Sequence, residues 1–356
     1  MDDEPVRGGY PDPRLLSLPG VDRVRAGITQ QMPPPPIHHL FGLKPVNASP
    51  VSVTFSMPCS PWLQTGAGVF GAGTAALVAD AALGGAVMAP LGPGKIVVTS
   101  DLSFNFLRPV GVGSGQLIAR ARPIEVGRSL GLAESLVEDG RGRIVAHSTT
   151  RCFVVSMEPP ESSEDLPHVE VPVYDTPDPH ERPLPDGGVL PELLEDMTML
   201  ELLAEFAAGK HPPPPFAQLF AMHDMDVERG HFCVYMPATL WHTSPAGTVY
   251  GGLIAYLADS VLAGAFGTTS AVDEVAALLD LKVQFLRPVL PDGRDLKAEA
   301  HVVHRGRSFA TAQAEITNAD GKIVALATSS AAIRSGRSWA SFVVADEAPR
   351  PPDSDS

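Results

Sequence analysis

Along most of the chain apolar and polar residues alternate or mix, but two stretches do neither. From Gly71 to Val87 the chain reads GAGTAALVADAALGGAV, with Asp80 as its only charge; from Tyr250 to Phe266 it reads YGGLIAYLADSVLAGAF, with Asp259 as its only charge. A segment that is apolar all round predicts a helix that is buried all round. A lone carboxylate there is costly to ionise unless something meets it, so its presence in both stretches points to function or to a structural hydrogen bond in the core. The run from Gly66 to Gly94 has the length of a membrane crossing. Asp80 near its middle adds about 2.5 to 3.5 kcal/mol to insertion, and no basic cluster flanks it as a topology signal. Burial within a globular protein is the expectation.

The two stretches belong to a longer repeat. Shifted by 179 residues against itself, the sequence aligns Pro33 to Pro36 with Pro212 to Pro215, Trp62 with Trp241, Asp80 with Asp259, FLRPV at 106–110 with FLRPV at 285–289, and Gly127-Arg128-Ser129 with Gly306-Arg307-Ser308. Positions 33 to 146 hold 36 identities without a gap, which chance does not sustain over 114 positions. Each half has the same grammar. A helical segment (14–31; 192–210) runs to four prolines, which end it, and a short helix and a strand closing at Met57 or Met236 follow. After the buried helix, alternation and turn residues predict four strands, in the first half at 96–107, 116–125, 130–138 and 144–155. One long helix wrapped by an antiparallel sheet is an α+β architecture.

Two such units are expected, at 1–157 and 191–345, with a linker at 158–190 and a disordered tail at 346–356; a further strand is expected at 339–344. The net charge is 26 − 41 = −15. Thirteen acidic residues against one base, Arg182, fall between Glu158 and Glu201, so this proline-rich stretch holds −12 of it and reads as an extended, solvated connector. An acidic chain argues against nucleic acid or an anionic membrane as partner, while the nearly neutral remainder leaves a polyanionic ligand open. Three scattered cysteines, Cys59, Cys152 and Cys233, make no disulfide framework, and no signal peptide opens the chain, so the cytoplasm is the expected location.

A glycine loop, a helix Asp nine positions after the loop's first motif residue, a strand reading DLxxxFLRP and a Gly-Arg turn together resemble the hotdog fold, within it the PaaI-like branch of the 4-hydroxybenzoyl-CoA thioesterase superfamily. The resemblance covers both halves and implies a double hotdog hydrolysing an acyl-CoA thioester, without a cofactor beyond the coenzyme A of the substrate. The family loop usually reads His-Gly-Gly. Here it is Tyr250-Gly251-Gly252 in one copy and Gly71-Ala72-Gly73 in the other, with Ser244 and Thr65 where an Asn is frequent. A family Ser or Thr beside the DL strand is Thr99 in the first half and Leu278 in the second.

The resemblance further implies an internal pseudo-dimer, with room for a homodimer of chains, and sites crossed between halves. One site would combine Tyr250, Gly251, Gly252 and Ser244 with Asp80 and Thr99; the other, Gly71, Ala72 and Thr65 with Asp259 and Leu278. The first is expected to be the competent one, with Asp80 as base, Gly251 as oxyanion donor and Tyr250 as a further donor. This agrees with what the residues suggest unaided. A carboxylate in an apolar helix has its pKa pushed towards that of a useful base, and amides at a helix N-terminus suit a developing oxyanion. Arg128 and Arg307 offer contacts to coenzyme A phosphates.

Rival chemistries stay in view. Gly127 to Gly131 fits G-x-S-x-G, but a strand follows it where a nucleophile elbow needs a helix. His301 and His304 face opposite sides of a strand, and His38 and His39 are adjacent, so neither pair suits a metal. A hotdog hydratase or dehydratase would need a histidine in the loop-helix unit. A non-catalytic acyl-binding protein would not.

Overall fold

A computed structural model describes residues 4–160 and 172–336. The sequence's buried helices are α3 (Thr74–Met88) and α6 (Gly251–Gly267). Around α3 lie β1 (Lys44–Ser49), β2 (Ser52–Pro58), β3 (Lys95–Phe106), β4 (Gln116–Val126), β5 (Leu130–Asp139) and β6 (Ile144–Ser156). Around α6 lie β7 (His223–Glu228), β8 (His231–Pro237), β9 (Glu274–Leu278), β10 (Asp280–Phe285), β11 (Asp295–Arg305), β12 (Phe309–Thr317) and β13 (Ile323–Ser335). Each sheet strand turns alternate residues onto its helix, as along β5, where Gly131, Ala133, Ser135, Val137 and Asp139 are buried and Leu130, Leu136 and their neighbours are more open. A helix apolar on every side but for one carboxylate is what such a wrapping sheet can accept.

The four expected strands of the first half are β3 to β6, each within a residue or two at either end. Other elements differ. The helical segment 14–31 is broken by Pro19 into a 3-10 turn at Pro13–Ser17 and α1 (Gly20–Ile28), and its counterpart divides before α4 (Met199–Ala207), whose capping box, Thr198 with Glu201, starts a new helix. The short helices after the prolines are α2 (Pro36–Phe41) and α5 (Pro215–Leu219). The single strand expected before Met57 is a hairpin, β1 with β2, and the second half repeats it as β7 with β8. Gly127-Arg128-Ser129 closes the β4–β5 hairpin, with the Gly127 amide bonded to the Leu130 carbonyl, so it is no elbow. The strand expected at 339–344 and the tail at 346–356 lie outside the described residues.

The halves join edge to edge. β3 and β10, the two DLxxxF strands, pair antiparallel with Leu102 opposite Val283 and Phe104 opposite Leu281, making one sheet in the order β1-β2-β4-β5-β6-β3-β10-β13-β12-β11-β8-β7, with β9 on β13. On its concave side α3 packs against α6.

The described part of the connector, 172–190, carries a 3-10 turn at Pro179–Glu181 and is not solvated throughout. Arg7, only 2 % exposed, binds Asp178 at 2.8 Å and Glu4 at 2.7 Å, and His39 meets the same Asp178 at 3.0 Å. The Trp62 indole donates to the Arg182 carbonyl, and Ser60 to that of His180. Asp178 thus ties the N-terminal segment, through Arg7, and the first half, through His39, to the connector. No helix among the described residues is long and apolar enough to cross a membrane.

Candidate active site

Each buried carboxylate sits at the α3–α6 contact, against the start of the other half's helix. Asp80 accepts a 2.7 Å hydrogen bond at Oδ2 from the Gly252 amide, and a Cβ on Gly251 would stand 2.9 Å from the same oxygen. A Cβ on Gly73 would stand 2.5 Å from the Cβ of Asp259, and one on Gly71 3.0 Å from its Oδ2. The glycines of both loops are therefore explained by close approach. Only a residue without a side chain lets the carboxylate reach the amides at the helix start.

The two carboxylates differ in what surrounds them. Burial pushes Asp80 up to about 6, with the Gly252 amide and the Thr99 hydroxyl restraining the shift. Asp259 is 0 % exposed and burial pushes it up to about 7. The Gly73 amide tempers that shift without completing a hydrogen bond, and neither Asp259 oxygen has a protein partner. The Thr74 hydroxyl, at the first position of α3, is likewise buried and unpartnered.

Tyr250, expected as a further donor to ligand, is engaged within the protein instead. Its hydroxyl donates to the Leu77 carbonyl (2.9 Å) and accepts from the Ala81 amide (2.8 Å), so its proton is committed to α3. Ser244 and Thr65 serve their own loops. Ser244 caps the Ala246 amide, and Thr65 donates to the Val69 carbonyl.

A cavity of about 1030 Å³ opens on only one of the two crossed sets. Thr65, Gly71, Ala72, Asp259 and Leu278 are on its wall; Asp80, Thr99, Tyr250, Gly251, Gly252 and Ser244 are not. Apolar side chains from α4 and α5, among them Leu202, Leu203, Phe206 and Phe216, make up much of the rest. Two arginines of the wall, Arg108 and Arg141, both of the first half, are exposed and were not offered by the sequence as phosphate contacts, because the repeat gives no sign of which loop flanks an opening. Arg128 and Arg307 stand exposed on hairpin turns and are not part of the wall.

His301 pairs across strands with His231, which its spacing along the chain could not show, and among the described residues these two and Glu299 bring possible ligand atoms within 4.8 Å of one another. Lys297 already holds Glu299 at 2.8 Å.

Residues 68–146 and 246–325 each match the family model of the thioesterase superfamily. The human acyl-coenzyme A thioesterase 13 is 32% identical over 85 residues, 24% of this chain, and the mouse protein of that name is 31% identical over the same length. The matched part spans 59% of the length of each of these relatives. Among solved structures, the tesB protein of Mycobacterium avium subs paratuberculosis superposes with a TM-score of 0.50 at 14% identity, covering 88% of this chain and 99% of that one.

Proposed function

We propose that this chain, two hotdog domains that match the thioesterase superfamily, hydrolyses an acyl-CoA thioester to a free acid and coenzyme A. The observation that carries the reading is a buried helix carboxylate of raised pKa set against the amides that begin a helix of the other half. Such a carboxylate takes a proton from water while the water oxygen bonds to the thioester carbonyl carbon. Helix-start amides meet the negative charge that develops on the carbonyl oxygen. The C–S bond then breaks, and the proton leaves on the coenzyme A sulfur. No resident cofactor enters these steps.

The glycine loop and the helix Asp nine residues on support a reading as two PaaI-like units in tandem in one polypeptide. All three cysteines are buried free thiols, in keeping with a cytoplasmic setting. Coenzyme A release from a panel of acyl-CoAs, read with a thiol reagent, is the direct test. Folded protein that releases no thiol from any of them, or that instead hydrates an enoyl-CoA, would falsify hydrolysis.

A second measurement concerns pH. The base works ionised, so kcat should rise with pH through an apparent pKa between about 6 and about 7, the values to which burial moves Asp80 and Asp259. A profile flat from pH 4 to 8 is incompatible with either.

A further inference from the structure

Resting on the hydrolase reading above, we propose that turnover belongs to the site of Asp259, the reverse of the sequence expectation, and that its substrate carries a long apolar acyl chain lodged between α4, α5 and α6. Asp80, in this assignment, is structural.

Three independent observations converge on it. The cavity has Asp259 and the Gly71–Ala72 turn in its wall, and at about 1030 Å³ it lies at the top of the range for ligand pockets, too large for a two- or four-carbon acyl group alone. Both oxygens of Asp259, a residue of that wall, are left without a protein partner. Buried polar groups without partners are rare, and a pair at one site asks for a ligand.

On the Asp80 side, where Asp80 is 7 % exposed, the polar groups are already engaged within the protein. Tyr250 hydrogen-bonds both Leu77 and Ala81 of α3, and Asp80 is spent on the Gly252 amide. Over the matching loop lies the N-terminal segment, its Tyr10 hydroxyl 2.8 Å from Thr243 Oγ1 and its ring against Gly247, held there by the buried Arg7–Asp178 pair. In the Asp259 site the residue aligned with Tyr250 is Gly71, so no side chain from that position bonds the facing helix.

The acyl chain's recognition is apolar burial, so kcat/KM should rise with length by up to about fourfold per added methylene, the worth of a buried CH₂. At the head of the site, the exposed Arg108 and Arg141 on the wall suit the phosphates of coenzyme A.

The experiment compares native protein with Asp259→Asn, Asp80→Asn and Ala263→Trp on butyryl-, octanoyl- and dodecanoyl-CoA. Folding is checked by near-UV circular dichroism, and binding of the fluorescent fatty acid cis-parinaric acid is measured separately. Ala263 is a wall residue on α6, so its replacement fills the cavity. Expected are a loss of at least about 10²-fold in kcat for Asp259→Asn, a change within about threefold for Asp80→Asn, and dodecanoyl-CoA favoured over butyryl-CoA at least tenfold. Ala263→Trp should erase that preference and weaken cis-parinaric acid at least tenfold. A folded Asp80→Asn that loses more than Asp259→Asn, or a flat chain-length profile, overturns the assignment while leaving hydrolysis standing. If the native protein turns over none of the thioesters, hydrolysis and the role of Asp259 both fall, and the fatty-acid arm alone decides whether the cavity takes acyl chains.

Discussion

At pH 8, Asp259→Asn should be more resistant to urea than the native protein, by an amount that shrinks by about 4 kcal/mol on going to low pH. Asp259 is wholly buried without a hydrogen-bond partner, and burial moves its folded pKa from 3.8 to about 7. The unfolded chain gives up this proton first. Native stability is therefore eroded as pH climbs from the unfolded value near 4 to the folded value near 7, and is level above it; three pKa units at about 1.4 kcal/mol each set the scale. Asparagine does not titrate, so the variant escapes the erosion, and any constant offset from its amide cancels between two pH values.

The comparison must be variant against native at each pH, because other buried groups titrate too. Asp80 acts in the same direction, with its pKa at about 6. His38 and His242 act oppositely, since burial lowers them to about 3 and about 4 and they add stability as pH rises towards 6.5. Tyr256, on the same helix, is raised well above its usual range by burial and by the Asp259 charge, and stays neutral throughout. Urea midpoints at pH 4.5 and pH 8 decide the matter. A native–variant gap that does not move with pH would mean that Asp259 titrates alike in the folded and the unfolded chain, so that burial does not raise its pKa.

Gly252→Ala should destabilise the chain by about 1–3 kcal/mol or more, the cost of overpacking where the neighbour cannot yield. The added Cβ would fall 2.7 Å from the Ala76 carbonyl oxygen and 2.6 Å from Tyr250 Cε1. The first of these is backbone of α3, so relief requires the two helices to part, and the Gly252–Asp80 bond parts with them. Gly73→Ala should act alike against Asp259 Cβ and Cγ, at 2.5 and 2.8 Å. Gly84→Ala, in the same helix with nothing within 4 Å, is the control and should be neutral or stabilising by up to about 1 kcal/mol. Melting temperatures of the three variants give the answer, and Gly252→Ala melting with Gly84→Ala would contradict the close packing.

Much of this architecture can be read from the chain. β3 to β6 announce themselves because alternation and glycine turns are local signals, and the ungapped repeat carries them to the second half. The β1 strand does not: KPVNAS is mostly exposed edge, with one fully buried side chain, and has no apolar rhythm to detect. The aspartates stand out as lone charges in apolar helices. Which of them faces a cavity is invisible along the chain, because it turns on the direction of one ring, Tyr250, and on Tyr10 meeting Thr243 from 233 residues away. The partner that makes Asp178 a clamp, Arg7, is equally remote.

The β3–β10 ladder also bears on how this chain must be born. Asn105 finds its partner, Asp280, only after another 175 residues have been made. At about 5–20 residues per second on the ribosome, the edge of β3 waits roughly 10 to 35 s with its amides and carbonyls unpaired. During that interval a nascent first half is a sticky template for any other extended strand, including β3 of a neighbouring nascent chain. Synthesis speed through the 106–280 interval, rather than the stability of the finished protein, then governs how much of it escapes misassembly.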